Sequence, residues 1–288
     1  MENGDFVIKE MDCTKYLRDL DERSPKIDLT FFDPPFNQGK EYRKHDDKME
    51  NNAYWAWMKE VCRLTLNHTS EGGAIYFMQR EKNTEHVLRV LKEAGWTFQN
   101  LIIWKKMTSA VPIRYGFNKS YQIIAFATKG DRPRVFNKLR IEPPRRVTDK
   151  YERPDGTYIN DVWDDIRELT SGYFAGNEPL RINGERAHEQ QSPIALLLRI
   201  ILSSTNIGDS VFDPFAGTGT ALVVAKQIGR KSLGVELDPE NVKLIKDRLN
   251  KLRESDNVLK YYKNYARTPD LTKIWPSKES SLKALVEE

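Results

Sequence analysis

Five consecutive residues, Asp33-Pro34-Pro35-Phe36-Asn37, combine a carboxylate, two rigid imino acids and an aromatic ring directly behind an apolar run at 27–32. Paired prolines stiffen a loop. Here they would fix two oxygen acceptors, the Asp33 carboxylate and the Pro34 carbonyl, beside the Phe36 ring. Such a loop suits a planar ring bearing an amino group. The acceptors take its two hydrogens and the aromatic face stacks on the ring. Taken alone, Asp-Pro-Pro reads equally well as an ordinary turn.

A second run, Val211-Phe212-Asp213-Pro214-Phe215-Ala216-Gly217-Thr218-Gly219-Thr220, reads as a strand, a glycine-bearing turn and the start of a helix. Glycine allows turn geometry and close backbone approach to a ligand, and a helix N-terminus offers free N–H groups. The run lacks the third glycine of the dinucleotide fingerprint and the lysine of a phosphate loop. The next apolar strand leads to Gly234-Val235-Glu236-Leu237-Asp238. An acidic residue at that point holds a ribose hydroxyl pair in nucleoside-binding α/β folds. The glycine turn and Glu236 together point to a nucleoside-type cofactor.

The elements that would position these residues follow from the apolar pattern. Short apolar runs at 6–8, 27–32, 74–78, 98–104, 122–128, 210–212 and 231–235 read as buried strands. Helical periods cover 53–66, 83–94, 192–203, 218–228 and 239–252. Pro193 and Asp238 stand at helix starts, and Gly95 and Gly229 at stops. This alternation predicts an α/β fold with a mostly parallel sheet covered by helices on both faces. Loops after parallel strands lie at the carboxyl edge, where ligands bind, so both runs fall on that edge. Residues 130–191 break the rhythm with Pro133, Pro143, Pro144, Pro154 and Pro179 and no sustained period, and read as an irregular insertion. The expected organisation is a catalytic α/β domain at 1–129 and 192–253, the insertion at 130–191, and a loose C-terminal extension at 254–288. Tyr261, Tyr262 and Trp275 of that extension are candidates to pack back.

Hydrophobic residues make up 39% and charged residues 31% of the 288, enough apolar material for a core. The run at 194–198 is cut by Arg199, far short of a membrane span. Glu2 and Asp5 argue against a signal peptide. Cys13 and Cys62 cannot make a disulfide framework, and the four histidines are scattered. The expectation is a cytoplasmic, metal-free protein with no membrane partner. The net charge of +4 is unevenly spread: residues 94–153 carry +9 and the remainder −5. Such concentration predicts a polyanion partner, although a solvated basic face has the same signature.

These residues resemble the S-adenosylmethionine-dependent amino-methyltransferases. Asp33 to Phe36 matches their catalytic D/N/S-P-P-Y/F motif, and Asp213 to Gly219 matches the cofactor motif with its F-x-G-x-G core. The catalytic motif comes first, an order that resembles the β group of DNA amino-methyltransferases. Asp12-Cys13 stands where that family has an acidic residue near the cofactor adenine. His188, Gln191 and Pro193 match three of the six positions of a family H-P-T-Q-K-P run, with Ser192 in place of its lysine. The resemblance spans residues 5–253 and implies a seven-stranded methyltransferase-type sheet, with 130–191 as a target-recognition insertion.

It further implies S-adenosylmethionine as cofactor, held by Asp12, Cys13, Asp33, Asp213, Phe215, Ala216, Gly217, Thr218, Gly219, Thr220, Glu236, Leu237 and Asp238. Asp33, Pro34, Pro35 and Phe36 would be catalytic. The implied reaction is methylation of adenine N6 in a base flipped out of double-stranded DNA, with Phe36 replacing the lost stacking. Lys105, Lys106, Arg114, Lys119, Arg145 and Arg146 are the expected DNA contacts. A cognate restriction endonuclease is a possible partner, with the chain a monomer or homodimer. Cytosine N4 is the nearest alternative substrate. RNA or protein methylation, a non-catalytic DNA-binding module and a dinucleotide dehydrogenase fit less of the pattern.

Overall fold

The computed structural model describes residues 6–21, 23–39, 47–107, 114–142, 153–169, 176–182, 185–186 and 191–275. Strands β1 (Phe6–Glu10), β2 (Ile27–Phe32), β3 (Thr69–Arg80), β4 (Thr97–Lys105) and β5 (Tyr121–Thr128) come before the insertion. Within it lie β6 (Arg140–Ile141), β7 (Thr157–Tyr158), β8 (Val162–Trp163), β9 (Arg181–Ile182) and β10 (Glu185–Arg186). Strands β11 (Ser210–Asp213) and β12 (Lys231–Glu236) follow it.

The main sheet has eight strands in the order β1-β12-β11-β2-β3-β5-β4-β8. Only β5 runs against the rest. The expected count was seven. The eighth is the two-residue β8, which pairs parallel with β4 through Ile103↔Val162 and Trp104↔Trp163. An edge strand exposes unpaired backbone groups, and here the insertion covers part of the β4 edge.

The helices are α1 (Cys13–Asp19), α2 (Asn51–His68), α3 (Thr84–Glu93), α4 (Ile194–Ser204), α5 (Thr220–Gln227), α6 (Pro239–Asn250) and α7 (Leu271–Ile274). Their starts have local causes. Asp12 caps α1 by accepting from Lys15 N at 2.9 Å. Asp238 caps α6 ahead of Pro239, accepting from Glu240 N at 2.9 Å. Helix α4 is apolar almost all round, with Ile194, Leu196, Leu197, Leu198, Ile200, Ile201 and Leu202 fully buried. Such a helix needs cover on both sides. It contacts α5 on one side and the chain after 254 on another.

For residues 254–275 that cover corrects the expectation of a loose tail, while residues 276–288 lie outside the described residues. Residues 254–265 wind through 3-10 turns, and Trp275 is fully buried against Tyr262 and Tyr265. Arg230 donates to the Ile274 carbonyl. The buried Asp256 carboxylate accepts from both Arg248 and Arg253. Period alone could not show this, because 3-10 turns carry no 3.6-residue signature.

Candidate active site

Four neighbouring strands, β1, β12, β11 and β2, end on the same edge of the sheet. Strands β11 and β2 are paired directly, Val211 with Leu29 and Phe212 with Thr30. The loop after β2 begins at Asp33 and the turn after β11 at Pro214, so the two runs singled out from sequence become neighbours. Met11 N donates to Glu236 O at 3.0 Å, which sets the end of β1 beside the end of β12. The four strand ends open into a cleft walled by Asp12, Cys13, Asp33, Pro34, Pro35, Asp213, Phe215, Ala216, Gly217, Thr218, Thr220, Glu236, Leu237 and Asp238.

The Asp33 loop is braced from below. Tyr54 of α2 donates its hydroxyl to Pro35 O at 2.7 Å, and Gln79 Nε2 donates to the same hydroxyl at 3.0 Å. Asn37 takes a left-handed conformation at φ 53°. Its N–H and that of Gln38 donate to the buried Asp47 carboxylate at 2.8 and 2.9 Å. Asn37 Nδ2 donates to Met49 O at 2.9 Å. This network, more than the prolines alone, fixes where the Asp33 carboxylate and Pro34 stand.

Asp33 Oδ2 accepts from Ser192 Oγ at 3.0 Å, just before α4. Burial raises the Asp33 pKa to about 7, while the Ser192 bond and the nearby Lys106 charge act in the opposite direction. Burial also pushes Asp213 well above the usual carboxylate range. Phe215 N donates to it at 3.1 Å, and repulsion from Asp33 and Glu236 adds to the upward shift. Glu236 is raised by burial too, although Gly217 N and Asp238 N donate to its two oxygens at 2.7 and 2.8 Å. Three carboxyl groups that repel one another around one cleft favour a cationic occupant. A sulfonium with an ammonium group fits that need. Gly217, at φ 53°, bends the turn so that backbone borders the cleft.

Two expected residues, Gly219 and Phe36, sit differently from their expected roles. Gly219 is absent from the cleft wall. Its φ of 74° and the 2.8 Å from an added Cβ to Ile245 Cγ1 show that it lets α5 start hard against α6. Phe36 is 4% exposed and belongs to the apolar cluster containing Phe31, Met78 and Ile194, so it is no open stacking plate. An aromatic ring this close to the sheet's apolar face is drawn into the core. Cys13 is buried in the cleft wall, and burial raises its thiol pKa, which makes it inert packing.

The basic residues divide. Lys105 and Arg114 are exposed, with Arg114 lying 5.2 Å from the Tyr115 ring. Lys119 pairs with Glu81 at 2.9 Å, which takes up part of its charge. Lys106 places its ammonium 3.3 Å from the centre of the Trp104 ring, within electrostatic reach of Asp33. Arg145, Arg146 and His188 lie outside the described residues.

Trp57 and Asn241 also wall the cleft, and neither was singled out from sequence. Trp57 donates to Thr14 Oγ1 at 3.1 Å and meets Phe215 edge-on at 5.7 Å. It occupies an apolar position in the α2 pattern, so it reads as core. Gln191 Oε1 accepts from Leu180 N at 2.9 Å, and Ile194 N donates to Glu178 Oε1 at 2.7 Å. Those bonds tie the end of the insertion to the start of α4 at the cleft.

Comparison with known proteins agrees with this geometry. A family model described as DNA methylase, of the N6/N4 type, matches residues 27–247. The type II methyltransferase M.HpaI of Haemophilus parainfluenzae is 30% identical over 241 residues, covering 82% of this chain and 71% of its own. The DNA adenine methyltransferase YhdJ of Escherichia coli K12 is 29% identical over 231 residues, covering 76% of this chain and 74% of its own. Among solved structures, the cytosine-N4-specific PvuII DNA methyltransferase superposes with a TM-score of 0.64 at 18% identity over 93% of both chains, a likeness of fold. The chain belongs to the N6/N4 family of S-adenosylmethionine-dependent DNA methyltransferases.

Proposed function

We propose that the protein methylates the N6 amino group of an adenine flipped out of duplex DNA, as the modification enzyme of a restriction-modification system with a cognate endonuclease. The observation that carries this reading is the side-by-side placement of the Asp33 loop and the Gly217 turn on paired strands β2 and β11. An amino group at the first then faces a methyl donor at the second. The adenine-specific relative YhdJ supports the choice of base.

An exocyclic amino nitrogen is a poor nucleophile because its lone pair is delocalised into the ring. Asp33 and the Pro34 carbonyl accept its two hydrogens, push density onto nitrogen and favour a tetrahedral shape. Their bonds strengthen as positive charge develops, so they stabilise the transition state above the ground state. S-adenosylmethionine supplies an electrophilic methyl group on a sulfonium. Asp213 would offset that cation and its ammonium group, Glu236 would accept from the ribose hydroxyls, and Gly217 would let the backbone approach. Holding both reactants in line provides much of the acceleration. A base entering beside Asp33 meets Phe36 only after that ring gives up part of its packing. Lys105 and Arg114 supply phosphate contacts, and the insertion supplies base contacts.

The test is direct. Incubation with methyl-labelled S-adenosylmethionine and DNA, followed by digestion to nucleosides, should place label in N6-methyl-2′-deoxyadenosine. Label in N4-methylcytosine overturns the choice of base, and label found only in RNA or protein overturns the substrate class.

A further inference from the structure

The connection between β4 and β5 leaves the sheet on the edge that carries Asp33. Strand β3 runs parallel to β2, with Phe32 opposite Phe77. Strand β5 runs against β3, so it begins where β3 ends, with Gln122 opposite Arg80. Lys105, the last residue of β4, pairs with Tyr121, and Lys106 N donates to Ser120 O at 2.6 Å. Strand β5 is two places from β2 in the sheet, about 10 Å at ordinary strand spacing. From Phe77 to Arg80, β3 rises three residues past the level of Phe32, about another 10 Å. Residues 114–120 therefore stand beside the Asp33 loop and above it. Residues 108–113 of the same connection lie outside the described residues.

This segment holds aromatic rings out in water. Phe117 is 98% exposed and Tyr115 is 83% exposed, whereas Phe31, Phe32, Phe77, Phe126 and Phe212 are all buried. A ring left in water gains nothing for the fold, so an exposed apolar group at the edge of a cleft marks a contact surface. Its surroundings say what it contacts. Arg114 lies 5.2 Å from the Tyr115 ring, and Lys119, paired with Glu81 at 2.9 Å, follows Phe117 by two residues. The sequence from 94 to 130 holds Lys105, Lys106, Arg114, Lys119 and Lys129 and no Asp or Glu. Duplex DNA matches both features, with phosphates on the outside for the cations and an apolar stack of bases between them for the ring.

We propose that Phe117 is a wedge, which enters the base stack at the place vacated by the target nucleotide while Arg114 holds the phosphates beside it. The inference rests on the flipping of a base toward Asp33 proposed above, and it assigns the residue that keeps the duplex open. A nucleotide that swings out leaves a gap, and its former partner loses stacking on that side. The duplex recloses unless the gap is filled. A flat ring with no polar atoms stacks on any base and asks for no hydrogen bond, so it holds the gap without reading sequence. A flipped nucleotide reaches down from the duplex into its pocket. The side chain that takes its place must then stand above and beside that pocket, as Phe117 does. It touches no reacting atom, so it is a positioning residue, distinct from Phe36, which is packed in the core below.

The experiment compares Phe117→Ala and Phe117→Trp with the unaltered protein on a duplex carrying the mapped target site. Each is assayed on that duplex fully paired and on one in which the target adenine is mispaired. A third duplex carries 2-aminopurine at the target position, whose fluorescence rises when it leaves the stack. S-adenosylmethionine binding and Tm report folding, and both should be unchanged because the ring lies in water. Phe117→Ala should lower kcat/KM on the paired duplex by about tenfold to a hundredfold and reduce the fluorescence rise. On the mispaired duplex, where opening is already easier, the loss should shrink to less than about threefold. The salt slope of binding should not move, since no phosphate contact is lost. Phe117→Trp should keep both turnover and the fluorescence rise. Equal losses on the paired and mispaired duplexes would overturn the wedge, and so would an undiminished fluorescence rise with Phe117→Ala. A change of oligomeric state in sedimentation, with paired-duplex kinetics intact, would assign the ring to a second copy of the chain and overturn it too. If the unaltered protein labelled no DNA base, the reading of the site itself would fall. If it methylated adenine and Phe117→Ala did so at full rate, only the wedge would fall.

Discussion

Ser192 donates its hydroxyl to Asp33 Oδ2 at 3.0 Å across 159 residues of sequence. The bond joins the loop after β2 to the segment just before α4, so the carboxylate proposed to meet the amino group is steered by the segment that also ends the insertion. Ser192 replaces the lysine of the family run, so a neutral donor stands where a charged one is usual.

Replacing Asp33 by Asn removes the stronger of the two acceptors while keeping the shape of the loop. Turnover should fall by at least about a hundredfold, with S-adenosylmethionine binding by calorimetry close to normal. The same change reports linkage. The folded-state pKa of Asp33 is raised to about 7 from 3.8, so the folded protein binds the extra proton and ionisation opposes folding. That cost is absent below about pH 4, grows as pH rises and is complete above about pH 7. Asp33→Asn should therefore raise Tm at pH 8 relative to the unaltered protein and leave it nearly unchanged at pH 4.

Ser192→Ala removes a donor that favours the ionised form of Asp33. The acid limb of kcat should rise by about half a unit to one unit, so activity falls more at pH 6.5 than at pH 8.5. Ser192→Thr, which keeps the hydroxyl, should restore the profile. Equal losses at both pH values would show that Ser192 acts on packing alone.

Gly219→Ala meets two obstacles. Its φ is 74°, and the added methyl would lie 2.8 Å from Ile245 Cγ1. A cost of about 1–3 kcal/mol is expected from urea unfolding. Adding Ile245→Ala, which removes both Cγ atoms that the new methyl would meet, should recover the steric part and leave the backbone part, so the double-mutant cycle should show coupling.

Asp256→Ala would leave Arg248 buried without its carboxylate partner. Breaking a buried pair from one side costs about 3–5 kcal/mol, readable in the urea midpoint. Arg248 also donates to the Thr218 carbonyl in the cofactor turn, so affinity for S-adenosylmethionine should fall alongside stability. Unchanged affinity in a destabilised variant would uncouple the tail from the turn.

Much of the framework was legible because buried parallel strands are short apolar runs. The strand expected at 27–32 is β2 to the residue, and the helix starts at Pro193 and Asp238 fall within a residue or two of α4 and α6. The carboxyl-edge rule then brought Asp33 and Gly217 together. Helix α1 went unseen because its seven residues hold too few turns for a period to show. Trp57 was invisible as a cleft residue because its spacing marks a helix face and says nothing of which tertiary neighbour that face meets. Phe36 was misjudged for the opposite reason: its motif names a chemistry, and only packing reveals whether the ring is uncovered. The seat of the Lys106 ammonium over the Trp104 ring is a contact that strand periodicity does not show.

The cleft is shared between two stretches far apart in the sequence, with β1 and β2 at 6–32 and β11 and β12 at 210–236. During translation, a chain still lacking β12 has Asp33 in place but no Glu236, and so no complete seat for the methyl donor. Donor binding therefore cannot assist early folding on the ribosome. It can stabilise only a chain in which β12 has already been made.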